Sequence, residues 1–258
     1  MSPDTKLAIV QLLLASPDQI GDLPGEVFST GSKALAPSDL YVVGLNPGFG
    51  CSYRTVRSHV EDWSLDHYSA FLDQCWKEQC WNRDSYGMQT MSGCSCVKGV
   101  DKHQQAVQRL IQRARPGIDL RRVFATNAVF AKSDSADSFR QETGLTLSRA
   151  FDNCWPIHQL FLTIIKPRVI LSLGYAEGAS AFSLFGRKAA QMGEIRSHSV
   201  DGRKFPSFKW ANMRFNLGTA NVTCLVVGIR HPSYVPNAAN TQEFSDLVAG
   251  TRERLVIS

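Results

Sequence analysis

Short runs of consecutive apolar residues alternate along this chain with longer segments in which apolar residues recur at helical spacing. The four apolar runs span 40–45, 122–126, 168–173 and 223–228. Runs of this length, rich in Val, Ile and Leu, are typical of strands that are buried on both faces of a parallel sheet. The sequence therefore predicts four buried strands, with a further hairpin strand or two over 208–217.

The segments between these runs predict helices. In the longest of them Phe151, Trp155 and Ile165 share one helical face, and Pro116 and Gly117 end another. Residues 76–100 have no such period and mix aromatic residues with Gly and Ser, so they are predicted to form an irregular insertion. The predicted helices span 7–14, 67–77, 102–115, 148–165, 176–185 and 241–255.

Strands that alternate with helices predict right-handed βαβ crossovers and a parallel sheet with helices on both faces. We therefore predict an α/β fold, a three-layer α/β/α sandwich around a mainly parallel four-stranded sheet, with the irregular insertion near residues 76–100. A length of 258 residues fits a single domain spanning 1–258.

Composition and the first residues bear on location. Hydrophobic residues make up 43% of the chain and charged residues 20%, as in ordinary soluble proteins. No run reaches the roughly 20 apolar residues of a membrane helix. The N-terminal segment has an Asp before its apolar part and no basic start, which argues against a signal peptide. We expect a monomeric, cytoplasmic protein that does not bind a membrane.

The net charge of +5 permits an anionic partner without requiring one. The basic residues form two groups, which fit either solvated surfaces or a surface that follows phosphates. The first group is Arg109, Arg113, Arg115, Arg121 and Arg122, and the second is Arg187, Lys188, Arg196, Arg203, Lys204 and Lys209.

Four of the seven cysteines lie close together in sequence, at Cys75, Cys80, Cys94 and Cys96. Their spacing does not match the paired C-x2-C knuckles of zinc sites, so ordinary thiols are expected. A metal at these four residues stays an open alternative, and no cofactor is expected elsewhere.

Three polar residues follow predicted strands directly: Asn46, Asn127 and His231. Because ligands bind at the carboxyl ends of parallel strands, we expect the three side chains to face one crevice. The alternatives are a plain turn at Asn46, a helix N-cap at Asn127 and a strand-end cap at His231. His59 is expected at the surface, with a second catalytic role as its alternative.

Three motifs carry a family resemblance: GLNPG at 44–48, VFATN at 123–127 and HPS at 231–233. In this order they resemble the uracil-DNA glycosylase superfamily, over about 190 residues of the chain. The GLNPG form is similar to that of the single-strand-selective monofunctional and mismatch-specific branches.

The resemblance implies a DNA glycosylase that flips a pyrimidine out of DNA and hydrolyses its N-glycosidic bond, in base-excision repair. Asn46 then matches the residue that places the water, and His231 the residue that hydrogen-bonds the pyrimidine O2. Asn127 matches the reader of the base edge. Tyr53 is the candidate stacking ring, with Phe49 as the reserve.

The resemblance also implies contacts with single- or double-stranded DNA. Gly48 would let backbone N–H groups approach a phosphate closely, and Ser233 would hydrogen-bond a second phosphate. By position the wedge that fills the gap left by the flipped base is Val235, with Tyr234 beside it. Trp76 and Trp81 fit either base stacking or anchoring in the core.

The sequence leaves alternatives open for the excised base and for the activity itself. The chain has YVPN after HPS, unlike the usual proline and wedge, so the excised base is open: uracil, thymine, an oxidised pyrimidine, or a bulky modified cytosine of viral DNA, with a role in phage defence. A non-catalytic DNA-binding member of the same fold is another reading. A nucleoside hydrolase is disfavoured because the chain has no Asp-rich metal loop.

Overall fold

A computed structural model of the chain describes residues 2–30, 34–47, 55–62, 102–199, 205–218, 220–230 and 242–251. The predicted helix over 67–77 and the predicted insertion near residues 76–100 lie outside these ranges. None of the described helices has the length and apolar character needed to cross a membrane.

The described ranges contain helices and strands in the alternating order that the sequence predicts. The helices are α1 (Pro3–Leu14), α2 (Val56–Glu61), α3 (Lys102–Ala114), α4 (Phe139–Thr143), α5 (Leu147–Ile165), α6 (Ala181–Lys188) and α7 (Gln242–Ala249). The strands are β1 (Leu40–Gly44), β2 (Phe124–Asn127), β3 (Val169–Leu173), β4 (Gln191–Met192), β5 (Arg196–His198), β6 (Phe208–Leu217) and β7 (Ala220–Ile229).

The strands form one sheet in the order β2-β1-β3-β7-β6-β4, and β5 also pairs with β6. The first four strands are parallel, which confirms the predicted parallel core. The residues 208–217 form one long antiparallel strand, β6, in a hairpin with β7. Together with the short strands β4 and β5, it widens the sheet beyond the four strands predicted, to seven.

Helices cover both faces of the sheet, as the sandwich prediction requires. On one face the ring of Tyr41 in β1 lies 6.4 Å from that of Phe185 in α6, and Phe185 lies 5.4 Å from Phe151 in α5. On the other face Phe208 of β6 lies 5.7 Å from Phe244 of α7. Buried side chains from the sheet and from both helical layers form one continuous core.

Local capping chemistry decides where the helices begin. Thr146 caps α5, and its side chain accepts a hydrogen bond from the Arg149 backbone N–H at 3.2 Å. Ser180 caps α6 in the same way, so this helix begins at Ala181 and the prediction of a start at residue 176 is wrong.

Pro156 lies inside α5, where the lost backbone bond costs about 3 kcal/mol. The buried face of α5 outweighs that cost.

Candidate functional site

Four parallel strands end at one edge of the sheet, which is called the carboxyl edge below. The chain moves from β1 to β2 on one side, and then crosses to β3 on the other side of β1. The strand order therefore reverses between β1 and β3. Ligands of open α/β sheets bind outside the carboxyl ends at such a reversal, because the connecting loops diverge there and leave a crevice.

Asn46 lies two residues beyond the end of β1, half-buried, with its side-chain nitrogen held in place. Its Nδ2 donates to the carbonyl oxygens of Pro47 at 3.1 Å and Ser133 at 3.2 Å, and to Ser133 Oγ at 2.9 Å. A carbonyl only accepts hydrogen bonds, so the amide is fixed with its nitrogen toward Ser133. No donor among the described residues reaches Oδ1. That oxygen is left to accept a hydrogen bond from a water or a ligand.

Ser133 holds Asn46 and was not singled out from the sequence. It is 1% exposed, its Oγ donates to the Ser135 carbonyl at 2.8 Å, and its backbone N–H donates to the Pro47 carbonyl at 3.3 Å. Because its hydroxyl hydrogen is directed to Ser135, its oxygen accepts from Asn46. The sequence signal was slight: a small polar residue in the loop after β2.

Asn127 is the last residue of β2 and pairs in register with Gly44 of β1. A Cβ atom at Gly44 would lie only 2.3 Å from Asn127 Oδ1, so the glycine makes room for this amide. Asn127 is half-buried, and its amide forms no hydrogen bond with the described part of the chain. It begins no helix, so the N-cap alternative is wrong. Its donors and acceptor are open to a ligand.

Two backbone bonds fix the position of these two residues relative to each other. Ala128 N–H donates to the Gly44 carbonyl at 2.8 Å, and Val129 N–H donates to the Leu45 carbonyl at 2.8 Å. The backbone pairing of the two strands thus continues past the ends of β1 and β2. As a result the structure brings Asn46 and Asn127 to the same edge, on adjacent strands.

A buried pair of side chains supports the segment after Asn127. His158 Nε2 donates to the Ala128 carbonyl at 2.9 Å, and the Tyr41 hydroxyl donates to His158 Nδ1 at 2.9 Å. Since a carbonyl can only accept, the proton of the neutral imidazole is on Nε2. Burial lowers the pKa of His158 to about 4 and raises that of Tyr41. Both groups are therefore uncharged at neutral pH.

His59 is buried, with 1% of its surface exposed, so the prediction of a surface histidine is wrong. Its Nδ1 accepts a hydrogen bond from the Val27 backbone N–H at 3.0 Å, and its ring lies 5.7 Å from that of Phe28. These contacts join α2 to the segment that precedes β1.

Several predicted site residues lie outside the described residues: Phe49, Tyr53, Gly48, His231, Ser233, Tyr234 and Val235. The same holds for Trp76, Trp81 and for Cys75, Cys80, Cys94 and Cys96. The strand that leads to position 231 is described as far as Arg230. β7 ends at Ile229 opposite Leu173 of β3, so it reaches the carboxyl edge about 10 Å, two strand spacings, from β1.

Two of the remaining cysteines, Cys154 and Cys224, are buried free thiols. Burial raises the pKa of Cys154 to about 12 and also raises that of Cys224, so both remain protonated and unreactive at neutral pH. Within the described ranges, no three His, Cys, Asp or Glu side chains are grouped so as to hold a metal ion.

Four of the eleven residues in the two predicted basic groups contact acidic side chains or backbone carbonyls of the protein itself. Lys188 Nζ and Arg187 Nη2 lie 2.6 Å and 3.8 Å from Asp152 Oδ1, and Arg196 pairs with Glu194 at 3.2 Å. Arg115 donates to the Val248 carbonyl at 2.7 Å and so joins α3 to α7. These four cations fit the solvated-surface alternative better than a phosphate track.

A cavity of about 140 Å³ lies between β6 and α7, lined in part by Trp210, Leu225 and Leu247. Neither Asn46 nor Asn127, the two predicted site residues that the structure describes, lines it. Leu225 pairs with Val169, the first residue of β3, so the cavity lies toward the opposite edge of the sheet.

Comparisons with protein-family models, with curated proteins and with solved structures give no match to this chain. The function of this chain is therefore inferred from the side chains at the carboxyl edge and from the motifs that contain them.

Proposed function

We propose that this protein is a monofunctional DNA glycosylase of the uracil-DNA glycosylase type. It flips a pyrimidine out of DNA and hydrolyses the N-glycosidic bond, leaving an abasic site. The observation that carries the proposal is the pair of amides at the carboxyl edge. Asn46 has a tethered nitrogen and an oxygen that accepts no hydrogen bond from the described residues, and Asn127, on the adjacent strand, has an amide with no hydrogen bond to the described residues.

Asn46 places the attacking water in this proposal. The open Oδ1 accepts a hydrogen bond from a water molecule and directs the water oxygen toward C1′ of the sugar. The new bond forms between that oxygen and C1′ as the bond from C1′ to the base breaks, and the proton that the water loses neutralises the departing base anion. A neutral amide orients water without being a strong base, so slow turnover is expected.

The base leaves with the bonding electrons, so negative charge develops on its N1 and on its carbonyl oxygen O2. In the proposal His231 hydrogen-bonds the pyrimidine O2 as this charge builds, a preorganised electrostatic effect. Its assignment rests on the HPS motif at residues 231–233. The described end of β7 supports it, because that strand leads to the carboxyl edge.

Asn127 reads the edge of the flipped base. Its amide can accept from N3–H and donate to O4 of uracil or thymine. With no hydrogen bond to the described part of the chain, the amide can also rotate and present the opposite pattern to a cytosine edge. The proposal therefore includes uracil and modified pyrimidines as substrates.

The remaining contacts of the proposal follow from the motifs. Tyr53, with Phe49 as the reserve, stacks on the base, which is worth about 1–3 kcal/mol. Gly48 and Ser233 contact phosphates, while Tyr234 and Val235 fill the gap in the duplex. The proposed partner is DNA, single- or double-stranded, bound by a monomer in the cytoplasm, and the proposed reaction uses no cofactor.

The test is incubation of the protein with single- and double-stranded oligonucleotides, followed by alkali, which cleaves DNA at abasic sites. The panel carries uracil, mismatched thymine, an oxidised pyrimidine, or hydroxymethylated or glucosylated cytosine. Strand breaks with at least one of these substrates are the expected result.

The Asn46→Ala variant is the matched comparison, because it removes the open oxygen at a half-buried loop position and is expected to keep the fold. The expected result is that it binds the same oligonucleotides and leaves them intact. If the wild-type protein binds the whole panel without producing any alkali-labile site, the binding-module reading replaces the enzyme.

A further inference from the structure

Two cations at the carboxyl edge lie over aromatic rings. Lys209 Nζ in β6 is 5.1 Å from the centre of the Tyr175 ring, and Arg230 Cζ, just after β7, is 5.5 Å from that of Phe205. Both distances are within the range of a cation–π contact. These four side chains are called the cation–aromatic platform below.

The two charges of the platform are not neutralised by the described part of the chain, where neither Lys209 nor Arg230 forms an ion pair. Other cations of the described ranges do: Arg57 with Asp22, Arg149 with Asp18, Arg168 with Asp39 and Lys188 with Asp152. A ring face attracts a cation but leaves its charge in place, so the platform presents two positive charges to a partner.

Backbone pairing holds the platform in a fixed shape. Lys209 pairs with Gly228 of β7, so Arg230 lies diagonally across from it, at about 7–8 Å. Arg230 N–H donates to the Ser207 carbonyl at 3.2 Å, and the Tyr175 hydroxyl donates to the Pro206 carbonyl at 2.5 Å. Strand pairing and these two hydrogen bonds thus fix the backbone positions from which the side chains of the platform extend.

Tyr175 links the two halves of the platform. A Cβ at Gly228 would lie 2.7 Å from Tyr175 Cβ, so the tyrosine packs directly on β7 because this position is a glycine. Burial raises the pKa of Tyr175, and the positive charge of Arg230 opposes that rise. Tyr175 therefore interacts with both cations of the platform: electrostatically with Arg230, and through its ring with Lys209.

We propose that the cation–aromatic platform binds the sugar-phosphate backbone of a DNA strand beside the flipped nucleotide. Lys209 and Arg230 each neutralise a phosphate of that strand. The inference rests on the proposed function, because it takes DNA as the partner. It favours DNA over an acidic protein or membrane because the platform shares the carboxyl edge with Asn46 and Asn127.

The experiment measures the affinity of Lys209→Gln/Arg230→Gln for an unmodified oligonucleotide that contains no excisable base. Fluorescence anisotropy is recorded at several salt concentrations. Each phosphate contact contributes about 0.7–0.9 to the slope of log K against log salt, so the slope is expected to fall by about 1.5. At low salt the double variant is expected to bind at least 10-fold more weakly.

The matched control is Lys166→Gln/Arg214→Gln, which removes the same charge from the opposite edge. Lys166 precedes β3, and Arg214 pairs with Thr223 near the start of β7. This control is expected to keep most of the wild-type slope. Equal losses in the two double variants would overturn the platform, because net charge alone would then explain both.

A charge-conserving variant, Lys209→Arg/Arg230→Lys, separates lost charge from lost folding, and it is expected to keep the wild-type affinity. If the platform variant lost binding to anionic lipid vesicles or polyglutamate while DNA binding stayed unchanged, the proposal would be overturned. Platform-dependent DNA binding by a wild-type protein that releases no base from any substrate would reject the glycosylase and leave the platform standing.

Discussion

Two carbonyl oxygens orient the side chain of Asn46 by accepting hydrogen bonds from its Nδ2. An amide can donate to them, whereas a carboxylate at the same position cannot. Pro47 and Ser133 present acceptors to Nδ2 at 3.1 Å and 3.2 Å. A carboxylate oxygen in place of that nitrogen would face both acceptors without a hydrogen to share. The site is therefore built for Asn and not for a stronger base.

The Asn46→Asp variant tests this orientation. Repulsion from the two carbonyls is expected to turn the carboxylate away, and base release is expected to fall at least 10-fold despite the greater basicity of Asp. Single-turnover rates on the best substrate of the panel check the result. Activity equal to or above the wild type would show that Nδ2 is not held as described.

Gly44 and Asn127 form a second contact that a single methyl group would disturb. In Gly44→Ala the new Cβ would meet Asn127 Oδ1 at 2.3 Å, so the amide must move. Loss of its two hydrogen bonds to the base is expected to slow excision about 10- to 100-fold, while the free energy of unfolding changes by about 1 kcal/mol or less.

The control for this prediction is Gly186→Ala in α6, where the nearest atoms to an added Cβ lie at 3.4 Å and 3.6 Å. It should leave excision unchanged. Wild-type excision by Gly44→Ala would mean that Asn127 does not read the base.

At the residue scale, the sequence predicts which side chains stand at strand ends but not what holds them. Asn46 and Asn127 were found because each follows a buried apolar run. Ser133 was not, because its contact with Asn46 joins two loops 87 residues apart and leaves no periodic signal. His59 was misplaced because a histidine bound to a backbone N–H has the same sequence appearance as one in water.

At the scale of the elements, apolar runs predict the parallel strands well because these strands are buried on both faces. β3, for example, has all five residues buried. β4 and β5 are mostly exposed and carry no such run, so only pairing with β6 reveals them. The start of α6 was missed because Ser180, one of several small residues, acts as its cap.

The bridge from α5 through His158 to β1 and Ala128 makes a prediction about pH. The pKa of His158 is about 4 in the folded protein, against about 6.5 in the unfolded chain. Above pH 6.5 neither state is protonated. As the pH falls toward 4 only the unfolded state binds the proton, so about 3 kcal/mol of stability is expected to be lost over this window.

Urea unfolding of the wild type and of His158→Gln between pH 7.5 and pH 4 measures this effect. Gln can donate to the Ala128 carbonyl and accept from Tyr41 but does not titrate in this window. The difference in unfolding free energy between the two proteins should therefore shrink as the pH falls. A difference that is independent of pH would contradict the buried neutral state of His158.

At the scale of the whole molecule, the polar side chains proposed to contact DNA lie at one edge of the sheet. Side chains that contact other parts of the protein lie elsewhere. Asn46, Asn127 and the cation–aromatic platform all lie at the carboxyl edge. The paired cations and the cavity beside α7 lie elsewhere. Alternating strands and helices predicted this polarity, because every parallel strand must end at the same side.

The positions of the outer strands decide how wide that edge is, and this could not be predicted. β6 pairs with β7 along its full length and brings Lys209 next to Gly228. The sequence of 208–217 indicated a hairpin but not its register. The platform therefore became visible only in the folded molecule.

The most direct test of the central claim is single-turnover release of free base from DNA, identified by mass spectrometry, for the wild type and Asn46→Ala. The wild type is expected to release one pyrimidine from at least one substrate of the panel. Asn46→Ala is expected to release the same base at least about 100-fold more slowly, with DNA affinity retained. Base release at equal rates by the two proteins would contradict the role given to Asn46.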